Sequence, residues 1–232
     1  GRGGGRGGIE PRSGGSSEQE GEKAAGGGGF LGLPPSKVPI VDVGINLTHK
    51  SFAKSLGDIV DRSIAAGVTT LIITGTSEAG SEAALKLAQT FKPKTPLAAA
   101  PPDAKQPRLL YSTAGVHPHD AKRWGGGTRA ALHKMLTEDG KGTAVAVGEC
   151  GLDFNRNFSP QPVQRQVFKE QVELAVELAL PLFCHERDAH ADFLDVLDQV
   201  PGAGQLRVCV HCFTGEEKEL REYVRRGYSP KL

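Results

Sequence analysis

Six short apolar runs, at 38–43, 69–75, 109–115, 143–148, 180–184 and 206–210, recur along the chain without polar alternation, each followed by a stretch at helical spacing. A strand that is apolar at every position is buried on both faces, and helices crossing from one such strand to the next make them parallel. The pattern therefore predicts βα units. Phe52, Leu56, Ile59, Val60 and Ile64 carry the first helical face and stop at Gly67, a candidate C-terminal cap. Ser159 followed by Pro160 opens a second helix, with Val163, Val167, Val172 and Ala175 expected on its inner face. Thr214 and Glu217 read as a capping box ahead of Leu220, Tyr223 and Val224, closed by Gly227.

At about 32 residues per unit, eight units need about 260 residues, close to the roughly 250 of a (β/α)8 barrel of the TIM type. The expectation is such an α/β barrel, incomplete, with about six βα units. A doubly wound sheet is the rival, but its Gly-rich phosphate turn is missing: Gly44-Ile45-Asn46-Leu47 has a single glycine. Glycine also marks the domain boundary, since 13 of the 31 glycines fall in the first 30 residues. With few large apolar side chains there, residues 1–37 are expected to be a disordered Gly-rich tail, and 38–232 the barrel domain. Arg2, Arg6 and Arg12 in that tail are similar to nucleic-acid-binding Arg-Gly-Gly segments. Glu10, Glu18, Glu20 and Glu22 cancel their charge, which favours a plain extension.

Charge and hydropathy narrow the partners. The 28 basic and 27 acidic residues give a net charge of +1, so a nucleic acid would have to be held at a local site and not by a broad basic field. Mean hydropathy is −0.30 and no run approaches the 18 to 20 apolar residues of a bilayer helix, so no membrane partner is expected. The tail lacks the apolar centre of a secretory signal, and its acidic residues oppose an organelle transit peptide. Cys150, Cys184, Cys209 and Cys212 lie in or beside apolar runs, which suits reduced thiols in an intracellular protein, cytoplasmic or nuclear.

Three ligand-type residues immediately follow three consecutive runs: Glu149, His185 and His211, spaced by one βα unit each time. The C-terminal strand ends of a parallel barrel converge on one mouth, where such barrels put their chemistry. Two imidazoles and a carboxylate form a mixed N and O donor set for a divalent cation. His117 and His119 follow the third run, Asp153 and Arg156 follow Glu149, and Arg187, Asp188 and His190 follow His185. Arg156 and Arg187 are candidates for gripping a phosphodiester, because a guanidinium offers a planar fork and keeps its charge; loop ion pairs are the alternative for both. Asp153 could orient a ligand or water, or cap its loop. Cys209 and Cys212 have zinc-knuckle spacing but no second pair.

These residues carry a resemblance. Asp42 to Thr48, Ile73-Thr74-Gly75-Thr76, Gly115-Val116-His117-Pro118-His119, Gly148-Glu149-Cys150-Gly151-Leu152-Asp153-Phe154, His185-Glu186-Arg187-Asp188-Ala189-His190 and His211-Cys212-Phe213-Thr214-Gly215 resemble, in order, the motifs of the TatD family of metal-dependent deoxyribonucleases. The resemblance runs from about residue 38 to 227. It implies an amidohydrolase-like barrel that hydrolyses DNA phosphodiesters, largely as an exonuclease, with Mg²⁺ or a transition metal such as Zn²⁺ or Mn²⁺. It makes Glu149, His185 and His211 the metal ligands and sets His117 and His119 at the catalytic mouth, with Asp153 taken beside them as a catalytic candidate from its place after Glu149; DNA is the implied partner, with no obligate protein partner. Gly44 and Asn46 stand where many relatives have two further histidine ligands. The family's last motif, a Thr-Asp at the end of the eighth strand, has no counterpart, so strands seven and eight are expected to be missing. Strands one and six are then expected to have bare edges and the chain to aggregate readily. Two other readings stay open: an ester or amide hydrolase such as an aminoacyl-tRNA deacylase, or a truncated, non-catalytic nucleic-acid-binding module.

Overall fold

A computed structural model describes residues 36–94 and 109–230; the glycine-rich segment 1–35 lies outside them, as does most of the expected tail. Seven strands alternate with six helices: β1 Ile40–Ile45, α1 Leu56–Ala65, β2 Val68–Ile73, α2 Glu78–Thr90, β3 Leu110–Ala114, α3 Thr128–Lys134, β4 Ala144–Asp153, α4 Gln161–Leu178, β5 Leu182–Arg187, α5 His190–Gln199, β6 Val208–His211, α6 Glu217–Arg225 and β7 Ser229–Pro230. All neighbouring strands are parallel, and they lie side by side in chain order, β1 to β7. A doubly wound sheet reverses direction partway; this one never does, so the winding is that of a (β/α) barrel. No helix among the described residues is long and apolar enough to cross a membrane.

The apolar runs find the strands but stop short of their ends. β4 continues to Asp153, β5 to Arg187 and β6 to His211, so Glu149, Asp153, His185, Arg187 and His211 lie within strands and not after them. Their backbones keep the parallel ladder, with Gly151 opposite His185, Asp153 opposite Arg187 and His185 opposite His211. Polar side chains at a sheet end lose the apolar signal without losing backbone pairing.

Two apolar cores pack against the sheet. One joins α1 and α2 to β2 and β3, around Val60, Leu71, Ile73, Ala84 and Leu110. The larger is centred on β4, β5 and the long helix α4, around Phe168, Val172, Leu182 and Phe193. The inner face of α4 is defined by Gln164, Val167, Phe168, Gln171, Val172 and Ala175. Val163, expected there, is exposed, because two buried glutamines occupy the stripe that apolar patterning alone assigns to its neighbours. The cap of α6 also differs from expectation: Glu216, not Thr214, is the N-cap, and its backbone N–H donates to the Glu219 carboxylate at 2.8 Å. Gly67 and Gly227 close α1 and α6 with positive φ, as read from the sequence.

The expectation that β6 would be a bare edge is corrected, since β7 pairs with it through Cys209–Ser229 and Val210–Pro230. β1 keeps an open edge among the described residues, and Val38, Ile40, Val41 and Val43 are exposed there, Val41 at 52%. An apolar, unpaired strand edge is a template for another chain. Wild-type protein should therefore self-associate with increasing concentration in sedimentation velocity, and Val41→Lys should reduce this; equal sedimentation of the two would count against β1 as the sticky edge.

Candidate metal centre

Glycine makes room for the key carboxylate. A Cβ at Gly148, whose φ is +140°, would lie 2.1 Å from the Phe183 carbonyl oxygen, and one at Gly151, at φ +124°, 2.0 Å from that of His185. Only glycine allows β4 to press this closely on β5. Between them the register shifts, and the Glu149 N–H donates to Gly75 on the β2 side at 2.7 Å.

The Glu149 carboxylate is thereby buried among imidazoles. Its Oε1 lies 2.6 Å from His211 Nε2, 3.3 Å from His185 Nδ1 and 3.3 Å from His117 Nε2. Register explains the convergence of two of them, since His185 and His211 are direct partners on β5 and β6. Phe183 stacks on the His211 ring at 4.7 Å and fixes its plane. Burial raises the Glu149 pKa, but hydrogen bonds from His117, His185 and His211 outweigh it and hold the carboxyl far below its ordinary range. Burial lowers the pKa of His117, more than Glu149 raises it, so that imidazole is neutral at neutral pH.

The hydrogen bonds sort the histidines. His117 Nδ1 accepts from the His119 backbone N–H at 3.1 Å, so its proton sits on Nε2 and points to Glu149. His185 Nε2 is buried and makes no hydrogen bond among the described residues, although Asp153 Oδ2 lies 3.4 Å from it. A buried imidazole set between two ionised carboxylates, with one ring nitrogen making no hydrogen bond, is what a cation would satisfy, and the N and O donors suit a divalent metal. His117, Glu149 and His185 offer ligand atoms within 4.8 Å of one another, with His211 on the same Glu149 oxygen. The structure thus brings together Glu149, His185 and His211, and adds His117, whose place three residues past β3 was the sequence signal.

Asp153 forms a second hub. It is fully buried and accepts from His119 Nε2 at 2.6 Å, from Arg187 Nε at 3.2 Å, and from the backbone N–H groups of Asn155 and Arg156 at 3.1 and 3.0 Å. Arg187 also donates to its second oxygen through a terminal nitrogen. Burial raises the Asp153 pKa, but Arg187, the Arg156 backbone and His119 prevail and hold it well below the usual range. Arg187 therefore has its fork on Asp153, whereas the exposed Arg156 side chain has no ion-pair partner among the described residues.

Sequence patterning missed the struts behind these groups. Gln164 Oε1 accepts from the Asp153 N–H at 2.8 Å, and its Nε2 donates to the Asp153 and Ser159 carbonyls at 3.1 and 2.8 Å. Two turns on, Gln171 Oε1 accepts from the Val116 N–H at 2.7 Å, and its Nε2 donates to the Val116 carbonyl at 3.0 Å. On the outer side of β5, Glu186 accepts from Tyr223 Oη at 3.0 Å and from the Ala189 N–H at 2.9 Å. Hydropathy carries no signal of these contacts, which exist only once the helices cover the sheet.

Because both carboxyls have depressed pKa values in the fold, they contribute stability that is present above their ordinary values of 4.5 and 3.8 and lost as pH falls through and below them. In chelator, thermal unfolding should move to lower temperature between pH 6 and pH 3. Asp153→Asn should cost about 2 kcal/mol at pH 7 and flatten that acid slope, since Arg187 loses its ionised partner. An unchanged slope in the variant would contradict the role of Asp153.

Comparison with known proteins bears on the family and the fold. The sequence profile of the family described as TatD related DNase matches residues 41–231. The protein named 3'-5' ssDNA/RNA exonuclease TatD from Citrobacter koseri is 42% identical over 190 residues, covering 80% of this chain and 64% of that one. The protein of the same name from Cronobacter sakazakii is 43% identical over 190 residues, covering 80% and 63%. The chain thus spans a little under two thirds of the length of these relatives. Among solved structures, a hydrolase of the TatD family from Entamoeba histolytica superposes with a TM-score of 0.70 at 24% identity, over 85% of this chain and 65% of that one, which supports the fold. With the profile match spanning the whole described barrel, the chain belongs to the TatD-related DNase family.

Proposed function

We propose that the cluster at the carboxyl ends of β3 to β6 is the reaction centre of a divalent-metal-dependent deoxyribonuclease that hydrolyses DNA phosphodiester bonds exonucleolytically. The observation that carries the reading is the single oxygen, Glu149 Oε1, met by three imidazoles within 3.3 Å, with His185 Nε2 making no hydrogen bond and facing Asp153 Oδ2 at 3.4 Å. Glu149, His185 and His211 would hold the cation, Mg²⁺ or a transition metal such as Zn²⁺ or Mn²⁺. When bound, it would lower the pKa of a water and offset charge building on the phosphoryl oxygens.

The chain's own groups supply orientation and charge. Ionised Glu149 keeps the His211 and His185 rings turned inward, and His117 presents an N–H donor at the same place. Asp153 anchors His119 and draws Arg187 inward, so both sit on a fixed base at the edge of the cluster. Arg156, exposed and free of an ion pair among the described residues, is the group placed to meet a phosphate from solvent. The family profile and the names of the relatives support nucleic acid as the substrate. An intracellular setting, cytoplasmic or nuclear, fits the four free cysteines.

Wild-type chain should degrade single-stranded DNA only with added divalent metal, and chelator should stop it. His185→Ala and His211→Ala should each lower metal affinity in calorimetry and reduce cleavage by about 100-fold or more. His117→Ala should reduce cleavage while leaving metal affinity within a few-fold. Full cleavage in chelator or by either ligand variant would refute the assignment, and turnover of an aminoacyl ester in place of DNA would redirect it to the deacylase reading.

A further inference from the structure

Phe158 is half exposed, at 52%, and the other exposed large apolar side chains among the described residues are valines and an isoleucine. A single exposed apolar side chain is ordinary surface; what sets Phe158 apart is that its ring lies against a histidine of the reaction centre. The ring packs edge-to-face against His119 at 4.7 Å, and His119 is 6.2 Å from His185. Two ring-to-ring steps therefore join Phe158 to the cluster.

The ring stands on a fixed base. The Phe158 carbonyl accepts from Lys122 Nζ at 2.9 Å. The next residue, buried Ser159, donates its hydroxyl to the His119 carbonyl at 2.9 Å and accepts the Lys122 N–H at 3.0 Å, while Gln164 holds its carbonyl. On the other side Asn157, at φ +49°, donates its side-chain amide to Phe154 at 2.6 Å. The turn carrying Phe158 is thus tied at several points to the 3-10 segment Pro118–Arg123 that carries His119. A surface held in advance loses little entropy when a partner settles on it. Arg156, two residues earlier and exposed, adds a positive charge to the same segment.

We infer that Phe158 is a stacking platform for one unpaired nucleobase of a single strand whose phosphodiester lies at the Glu149 cluster. The inference rests on the proposed nuclease function and adds to it the basis for taking single strands. A base within a duplex has both faces covered by its neighbours, whereas an end base that has left the stack can lie on the ring. Stacking of this kind tolerates any base, because every base has a π-face.

The test is equilibrium binding in chelator, by fluorescence anisotropy, of a labelled hexathymidylate and of an abasic hexamer of the same length and charge. Wild type should prefer the thymidylate roughly tenfold; Phe158→Ala should lose that preference while keeping its thermal midpoint, and Phe158→Tyr should retain it. Equal binding of the two oligomers by wild type, no binding of either, or a preference that survives in Phe158→Ala would overturn the inference. Cleavage with metal separates this from the function it rests on. A protein that prefers thymidylate but never hydrolyses it keeps the platform and loses the nuclease, and one that cleaves both oligomers at equal kcat/KM keeps the nuclease and loses the platform.

Discussion

A buried carboxylate costs several kcal/mol unless something compensates its charge, and the structure around Glu149 is organised by that requirement. Three imidazoles from three different βα units meet one of its oxygens, and none could do so without the sheet that sets their spacing. The sheet in turn needs glycine at 148 and 151, where β4 and β5 approach too closely for any side chain. The pairing of His185 with His211 follows from the parallel register, so the same hydrogen bonds that build the sheet also aim the rings. Packing and chemistry are here one set of contacts.

Helix α4 supplies the second layer of control. Gln164 and Gln171 lie two turns apart on its buried face, and each treats one backbone residue as a strand partner would, accepting its N–H and donating to its C=O. One grips Asp153 at the end of β4; the other grips Val116, just before His117. Buried amides satisfied at both ends specify position more tightly than apolar packing, which tolerates sliding. The helix is thus a ruler between the loop that carries the histidine pair and the strand end that carries the Asp153 hub.

Much of this was legible in the sequence for a physical reason. Strands buried on both faces announce themselves as unbroken apolar runs, and the strand-end rule for parallel barrels then singles out Glu149, His185 and His211 without any contact information. What escaped was whatever depends on hydrogen bonds that hydropathy does not record. The strands run on past the apolar runs at 149–153, 185–187 and 211; β7 is only two residues long and includes a proline; α6 is capped by Glu216, two residues beyond Thr214. The two arginines looked alike in sequence, both in loops near carboxylates. Only register separates them, because Arg187 lies opposite Asp153 on the neighbouring strand while Arg156 sits beyond the end of β4.

Strand β5 is shared between inside and outside. Side chains alternate along a strand, so His185 and Arg187 face the cluster while Cys184 and Glu186 face the helical layer. Glu186 joins that layer to the strand through Tyr223 of α6 and the first turn of α5. A shift of α6 along its axis would pull on the residue that sits directly between two mouth residues, with no flexible linker to absorb it. The outer wall of this barrel and its inner chemistry therefore cannot vary independently at residues 185–187.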